Sequence, residues 1–480
     1  MISRLWKRSG GQRPGRLQAA FQAVLTIPAI AAVVCMPTPA LSVAVHPDRP
    51  PAGTLPWLSV RSGRIVDSLG RTVLLRGFND DALLQTGSAS LPPPLTAGDA
   101  ALMEQEGFDL VRLPISWSLL EPSAGHFRSS YLAEIRATVA LCARHHLYVI
   151  LDMHTEDFGV SFGGNGAPSW LYVAGIPDLH IPGLAAAWQR HLSPAVNAAL
   201  AYFWLQPNWQ RLYWQAWTKV AAMFSGDSAV AGYDLYNEPH PFPVPPAIFE
   251  TRVLWPFYAR GIAALARVDP NHLFMVEGDL FGDLPTAIRP LRAPNLVYST
   301  HLYSGSILPP NYEGDREPLA AEIRQGLQEA RQLPAAYLAG ELGIDHTRPD
   351  AVSWAEAELA LANRYQTGWA WWQWDDPDHW GVRQKGSPPD QAWLRVLAQP
   401  FVRAAPGRVD GLSYSPNSRR LRVRLAQGRA GASLLVSWPS WLGPPRVDSR
   451  CVSADGYLPG QGLLRLRLRA PACSFSIQAA

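Results

Sequence analysis

Strand and helix signals alternate eight times between Val73 and Trp374, and few folds accept that rhythm. Leu58–Ser68 and Arg71–Leu75 alternate apolar and polar residues around Leu69-Gly70, which reads as a hairpin running into a first strand, Val73–Asn79. Apolar, β-branched runs then predict strands over Phe108–Ile115, Tyr148–His154, Gly232–Glu238, Leu273–Gly278, Leu296–Tyr303, Tyr337–Glu341 and Gly368–Trp374. Helical spacing separates them at Ala97–Gln105, Tyr131–His145, Trp209–Met223, Thr251–Ala266, Leu319–Arg331 and Ala355–Tyr365. The economical solution is an α/β fold, a closed (β/α)8 barrel. A doubly wound open sheet would want a glycine-rich phosphate loop after an early strand, and the sequence has none. Past Pro400 the helical period ends. Leu421–Leu425, Ser433–Trp438 and Leu464–Leu468 alternate between Gly, Pro and Asn turns, as in a small antiparallel β-sandwich. The expected division is a segment 1–44, a TIM barrel over 50–398, and a C-terminal β-sandwich domain over 399–480.

The first 44 residues have the order of an export signal. Basic Arg4, Lys7, Arg8, Arg13 and Arg16 precede an apolar run from Leu17 to Val34, and small Ala40, Ser42 and Ala44 follow. An uncleaved membrane anchor is the rival, because the run approaches spanning length. Pro28 and the small residues after Pro39 favour cleavage, so a secreted or periplasmic location is expected. Export permits a disulfide between Cys451 and Cys473, whereas Cys142 falls on the apolar face of a helix and reads as a buried thiol. With 17% charged residues and a net charge of +3, the chain makes no case for a nucleic-acid partner. It has no CxxC pair and no metal-ligand spacing, so neither cofactor nor metal is expected.

In a barrel of this kind, polar residues at the C-terminal ends of strands face one mouth. Arg112, His154, Asn237-Glu238, His301, Tyr303, Glu341 and Trp372 all fall there. Any one of them has an ordinary structural use. Together, spread over six strand ends, they read as a site. Carboxylates at strand ends four and seven can flank one glycosidic bond, and retention of configuration needs them roughly 5–5.5 Å apart. The acid of such a pair must hold its proton, and burial beside a second carboxylate raises its pKa; Arg112 would keep the nucleophile ionised. Asn237 is placed to bind the sugar 2-hydroxyl.

Seven motifs in order carry a resemblance. They are Arg76-Gly77-Phe78-Asn79, Val111-Arg112-Leu113-Pro114, Asp152-Met153-His154, Tyr236-Asn237-Glu238-Pro239, His301-Leu302-Tyr303, Gly340-Glu341 and Gly368-Trp369 to Trp374. The set resembles glycoside hydrolase family 5 of clan A. That resemblance implies Glu238 as general acid/base and Glu341 as nucleophile. It places Arg112, His154, Asn237, His301, Tyr303 and Trp372 at substrate-binding positions. Within the family, Gly164 to Trp170 and the tail beginning Pro400-Phe401-Val402-Arg403-Ala404 are most similar to endoglycoceramidases and related glycolipid β-glycosidases. Two positions depart from their pattern: His154-Thr155-Glu156-Asp157 stands where they read His-Gln-Asp, and His240 follows Asn-Glu-Pro in place of Phe or Trp.

Three apolar loops follow strands three, four and six: Val173–Pro207, Phe242–Phe249 and Ile307–Pro310. Around one mouth they would suit an acyl or sterol tail better than a hydroxylated glucan. They could equally cover one another or pack on the sandwich. The expected partner is therefore a carbohydrate or glycolipid substrate met at a membrane surface by transient contact, with the chain acting as a monomer. A polysaccharide endo-hydrolase of cellulase or mannanase type is the alternative reading. A non-catalytic carbohydrate binder is a third, and it has no need of both Glu238 and Glu341.

Overall fold

The computed structural model describes residues 55–84, 95–179, 193–241, 244–279, 287–308, 310–376, 379–384 and 387–480. The export-signal segment, Phe242, Pro309 and residues 180–192 of the strand-three insertion lie outside the described residues. Three short strands come first: β1 (Leu58–Arg61), β2 (Arg64–Asp67) and β3 (Thr72–Val73). Eight parallel strands follow and close a barrel. They are β4 (Arg76–Asn79), β5 (Leu110–Ile115), β6 (Tyr148–Met153), β7 (Val230–Asp234), β8 (Leu273–Glu277), β9 (Leu296–Leu302), β10 (Ala336–Leu342) and β11 (Gly368–Trp371), with β11 pairing back onto β4. The predicted (β/α)8 barrel is the observed one.

Alternation along the strands builds two cores and a floor. Inward residues Leu75, Leu110, Tyr148, Ile150, Leu273, Met275, Val297 and Leu338 form an apolar plug inside the barrel. Their neighbours Val111, Leu113, Val149, Leu151, Phe274, Val276 and Tyr298 point outward and pack against the helices. A strand has period two, so the next inward positions above the plug are Arg112, Asp152 and Glu277, with Asn79 and His301 one further inward step on, past Gly77 and Ser299. That layer is polar, and it is the floor of the mouth.

The tail holds β12 (Phe401–Ala405), β13 (Arg408–Ser415), β14 (Arg420–Ala426), β15 (Ser433–Ser437), β16 (Pro445–Asp448), β17 (Val452–Leu458), β18 (Leu463–Leu468) and β19 (Cys473–Ala479). They form two antiparallel sheets around Leu421, Val423, Leu434, Val436, Leu464, Leu466, Phe475 and Ile477. Cys451 and Cys473 are disulfide-bonded, and Cys142 is a buried free thiol. One sheet has a member that local patterning did not place there. The hairpin β1–β2 and strand β3 join it through β3–β12 pairing, Val73 opposite Ala404 and Thr72 opposite Ala405. The chain thus leaves this sheet to build the barrel and returns to complete it. Buried Arg403 ties the two together, donating to Asp109 at 3.0 Å and to the Phe108 carbonyl at 2.6 Å. Removing Gly407–Ala480 would strip the cover from Phe401 and Val402, so soluble yield and the denaturation midpoint of the truncated chain should both fall sharply. A stable, fully active truncated barrel would contradict that.

Candidate active site

Arg112 is the keystone of the floor. Its guanidinium is fully buried and donates to Asn79 Oδ1 (3.0 Å), Asp234 Oδ2 (2.9 Å), Asn237 Oδ1 (2.9 Å) and Glu341 Oε1 (2.8 Å). Asp152 and Glu277 lie 3.1 and 3.4 Å from it. Burial opposes its charge, but Asp152, Asp234, Glu341 and Glu277 together lift its pKa well above the arginine norm. One cation therefore orients both Asn237, in the loop after β7, and Glu341, on β10.

Glu341 owes its position to a shift of register. β10 slips against β9 between Ala339 and Glu341, so that Glu341 lies opposite His301. Gly340 makes room, since a β-carbon there would come within 2.5 Å of Ser299 Oγ and 3.3 Å of His301. Tyr303 then donates to Glu341 Oε2 at 2.9 Å, complementing Arg112 on the other oxygen.

Glu238 is held differently. β7 ends at Asp234, four residues earlier than the expected strand, and Glu238 sits in the following loop with φ at +44°. A non-glycine residue in that left-handed region costs on the order of 1–3 kcal/mol and needs a compensating contact. Glu277 supplies one: its Oε2 accepts the Glu238 backbone N–H at 2.8 Å. Oε1 of the same carboxylate lies 3.2 Å from His301 Nε2, and His301 Nδ1 reaches Glu238 Oε1 at 2.9 Å and Glu341 Oε2 at 3.4 Å. Single ligand atoms of Glu238, His301 and Glu341 all fall within 4.8 Å of one another. By distance the three could hold a metal ion, but each is already engaged in the hydrogen bonds above, an arrangement for sharing protons.

The electrostatics run opposite to the sequence expectation. Burial pushes the Glu238 carboxyl up, yet the hydrogen bond from His301 and its charge bring it below the usual carboxylate range. Burial pushes Glu341 above that range, more than His301 and Arg112 offset. For His301 burial opposes the charge, while Glu277 and Glu341 raise it well above the ordinary imidazole value. The difference follows from where the ring sits, nearer to Glu238 than to Glu341. The Glu238 side chain is also 35% exposed and that of Glu341 only 6%.

The remaining predicted residues line the same mouth. His154 is fixed by Asp152 Oδ2 at 2.7 Å and stacks on Trp372 with ring centroids 5.5 Å apart and planes 17° apart. Asn237 Nδ2 donates to the Thr155 carbonyl at 3.2 Å, with His154 Nε2 at 3.5 Å. The structure brings all eight predicted side chains together at this mouth. Sequence reasoning missed Asn79, Asp152, Asp234 and Glu277. Asn79, Asp152 and Glu277 could have been found by counting two positions on from inward Gly77, Ile150 and Met275. Asp81 was missed as well. Burial, then Asp80 and Asp376, push its carboxyl up to about 8, and the His154 charge opposes the shift. Of the two departures in motif, Glu156 bonds Asn165 at 3.0 Å, and His240 is buried with its carbonyl accepting from Trp204.

The apolar loops divide. Phe249 is fully buried against Trp204 at the end of a short helix and belongs to the core, so it is not available to line the mouth as expected for a lipid tail. Eight large apolar side chains are exposed among the described residues, and five of them come from these segments: Leu179 and Ile307 in loops, and Tyr202, Leu205 and Ile248 on short helices within them.

Comparison with known proteins agrees with the geometry. Residues 66–378 match the family model described as Cellulase (glycosyl hydrolase family 5). Endoglycoceramidase I of Rhodococcus hoagii is 29% identical over 215 residues, 40% of this chain and 38% of that protein. The alignment thus spans about two fifths of that relative. The endoglycoceramidase of Cyanea nozakii is 23% identical over 421 residues, 79% of this chain and 82% of the other. The structure of endo-glycoceramidase II from Rhodococcus sp., in complex with a five-membered iminocyclitol, superimposes with a TM-score of 0.76 at 27% identity. It covers 86% of this chain and 98% of that one.

Proposed function

Because this chain belongs to glycosyl hydrolase family 5, we propose that it is a retaining β-glycosidase that cleaves the bond between a glycan and a lipid aglycone. The carrying observation is the carboxylate pair. Oxygens of Glu238 and Glu341 lie within 4.8 Å, close to the separation for double displacement and too near for a water between them as inversion requires. Buried Glu341, clamped by Arg112 and Tyr303, attacks the anomeric carbon. The bond to the aglycone oxygen breaks as Glu238, the exposed member, delivers a proton. That proton is held within the Glu238–His301–Glu341 cluster. Water, deprotonated by Glu238, then displaces Glu341 and releases the sugar with its configuration retained. Asn237 is placed for the 2-hydroxyl, and the His154–Trp372 stack offers a flat wall for the ring.

The lipid half of the proposal rests on the five exposed apolar residues of the segments that follow strands three, four and six of the barrel, and on relatives named endoglycoceramidase. Each buried methylene contributes roughly 0.8 kcal/mol, so two of them lower KM about tenfold. Lengthening the acyl chain of a glucosyl-lipid should therefore lower its KM. Replacing Leu179, Ile248 and Ile307 by Ser should erase that preference while hydrolysis of a small aryl glycoside stays nearly intact. Equal losses on both substrates, or no chain-length preference in the parent enzyme, would return the argument to the polysaccharide reading. The N-terminal segment fits export before this activity, and a disulfide in the tail supports the same compartment.

A further inference from the structure

Charge is distributed unevenly along the chain. Between Gln399 and Ala480 there are twelve arginines, no lysine and three carboxylates, a net of +9, whereas the whole chain carries only +3. The sandwich is thus a basic body joined to an acidic barrel. Within it the sheet β13–β14–β19–β16 turns Leu421, Val423, Leu425, Phe475 and Ile477 inward. Alternation therefore puts Arg420, Arg422 and Arg424 on the outer face. In register, Ser415, Ser413 and Gly411 flank them on one side, and Gln478, Ser476 and Ser474 on the other. Gly411 opposite Arg424 leaves a hollow, part of an open basin of 810 Å³ lined by Ser413, Arg422, Arg424, Arg450, Ser474 and Ser476.

We propose that this arginine–serine face is a docking site for an anionic phospholipid surface. The guanidinium groups are donors only, in a fork that matches phosphate oxygens, and each serine hydroxyl can add one O–H donor. The competing partners are few. Arg408 takes Asp410 at 2.5 Å, Arg424 donates to the Asp410 carbonyl at 3.0 Å, and Arg420 donates to Gln478. Among the described residues Arg422 and Arg450 form no ion pair, and Asp448 is the single carboxylate lining the basin. A flat, open sheet suits an extended array of headgroups better than one enclosed ligand. The choice of a lipid surface over another polyanion rests on the glycolipid reading above, since such a substrate is presented in a membrane.

The test is co-sedimentation of the full chain with phosphatidylcholine vesicles, with and without phosphatidylglycerol, at low and high salt. An arginine near an anionic surface strengthens partitioning about fivefold. The triple variant R420S/R422S/R424S should therefore bind phosphatidylglycerol vesicles on the order of a hundredfold more weakly. The R465S/R467S variant, altered on exposed positions of the other sheet, should bind nearly as the parent does. Aryl glycoside hydrolysis by both variants should be unchanged, which shows that they are folded. Three results would overturn the proposal. They are no salt-sensitive binding by the parent, equal losses in the two variants, and retention on heparin without vesicle binding, which marks a soluble polyanion. Vesicle binding that follows the three arginines in a chain inactive on every glycoside would leave the docking face standing and remove the enzymatic reading instead.

Discussion

Glu341→Gly should abolish hydrolysis, and azide should restore turnover of an activated aryl glycoside as the inverted α-glycosyl azide. The glycine leaves space against Arg112 and Tyr303 where the small anion can reach the anomeric carbon directly. Glu238→Ala should slow turnover by about 10²–10⁴-fold, the usual worth of a positioned general acid/base. There azide intercepts the covalent intermediate and yields the β-glycosyl azide with configuration retained. Anomeric NMR couplings of the two products decide the assignment. Exchanged products would reverse the roles of the two carboxylates, and an inverted product from unmodified enzyme in water would exclude double displacement. Glu238 is the more exposed of the two, and Arg112 keeps Asp152, Asp234 and Glu277 as partners when Glu341 is lost, so neither change should unfold the barrel.

Arg112→Met should act on stability as well as on activity. It removes the cation shared by Asp152, Asp234, Glu277 and Glu341, and breaking a buried pair by losing one partner costs about 3–5 kcal/mol. The deficit should depend on pH. Burial first, and Glu277 next, already hold the Asp234 carboxyl well above the ordinary range, and Arg112 is what draws it back. Without Arg112 the folded Asp234 and Glu341 carboxyls rise further and bind protons that the unfolded chain has released. A raised carboxyl pKa costs nothing below the unfolded value near 4 and costs progressively more as pH climbs toward the folded value. The gap between variant and parent in urea denaturation should therefore be small in acid and widen toward neutral pH. A gap independent of pH would mean that Asp234 and Glu341 do not depend on Arg112 for their charge.

The residues of this site were legible because barrels put chemistry at strand ends and strands alternate with period two. Arg112, His154, His301, Tyr303, Glu341 and Trp372 needed only those two rules. What escaped was what depends on distance across the barrel. Glu277 sits one inward step above Met275, but that its carboxylate carries the Glu238 backbone and the His301 ring together is set by distances across the mouth. The same holds for the pKa order of Glu238 and Glu341, which one ring placed nearer to one carboxylate reverses.

The sequence by itself determined the eight barrel strands and most of the helices between them, the change to antiparallel strands past Pro400, the set of polar strand ends and the arginine-rich tail. Those are local properties: periodicity, turn residues and composition read within a few residues of one another. Tertiary structure alone decided that β3 pairs with β12, that β7 stops at Asp234 and leaves Glu238 in a left-handed turn, and that Phe249 is core. Each of these is settled by a partner far away in the chain. Val73 meets Ala404, Glu238 meets Glu277, and Phe249 meets Trp204, and no local pattern encodes which distant surface a residue will find.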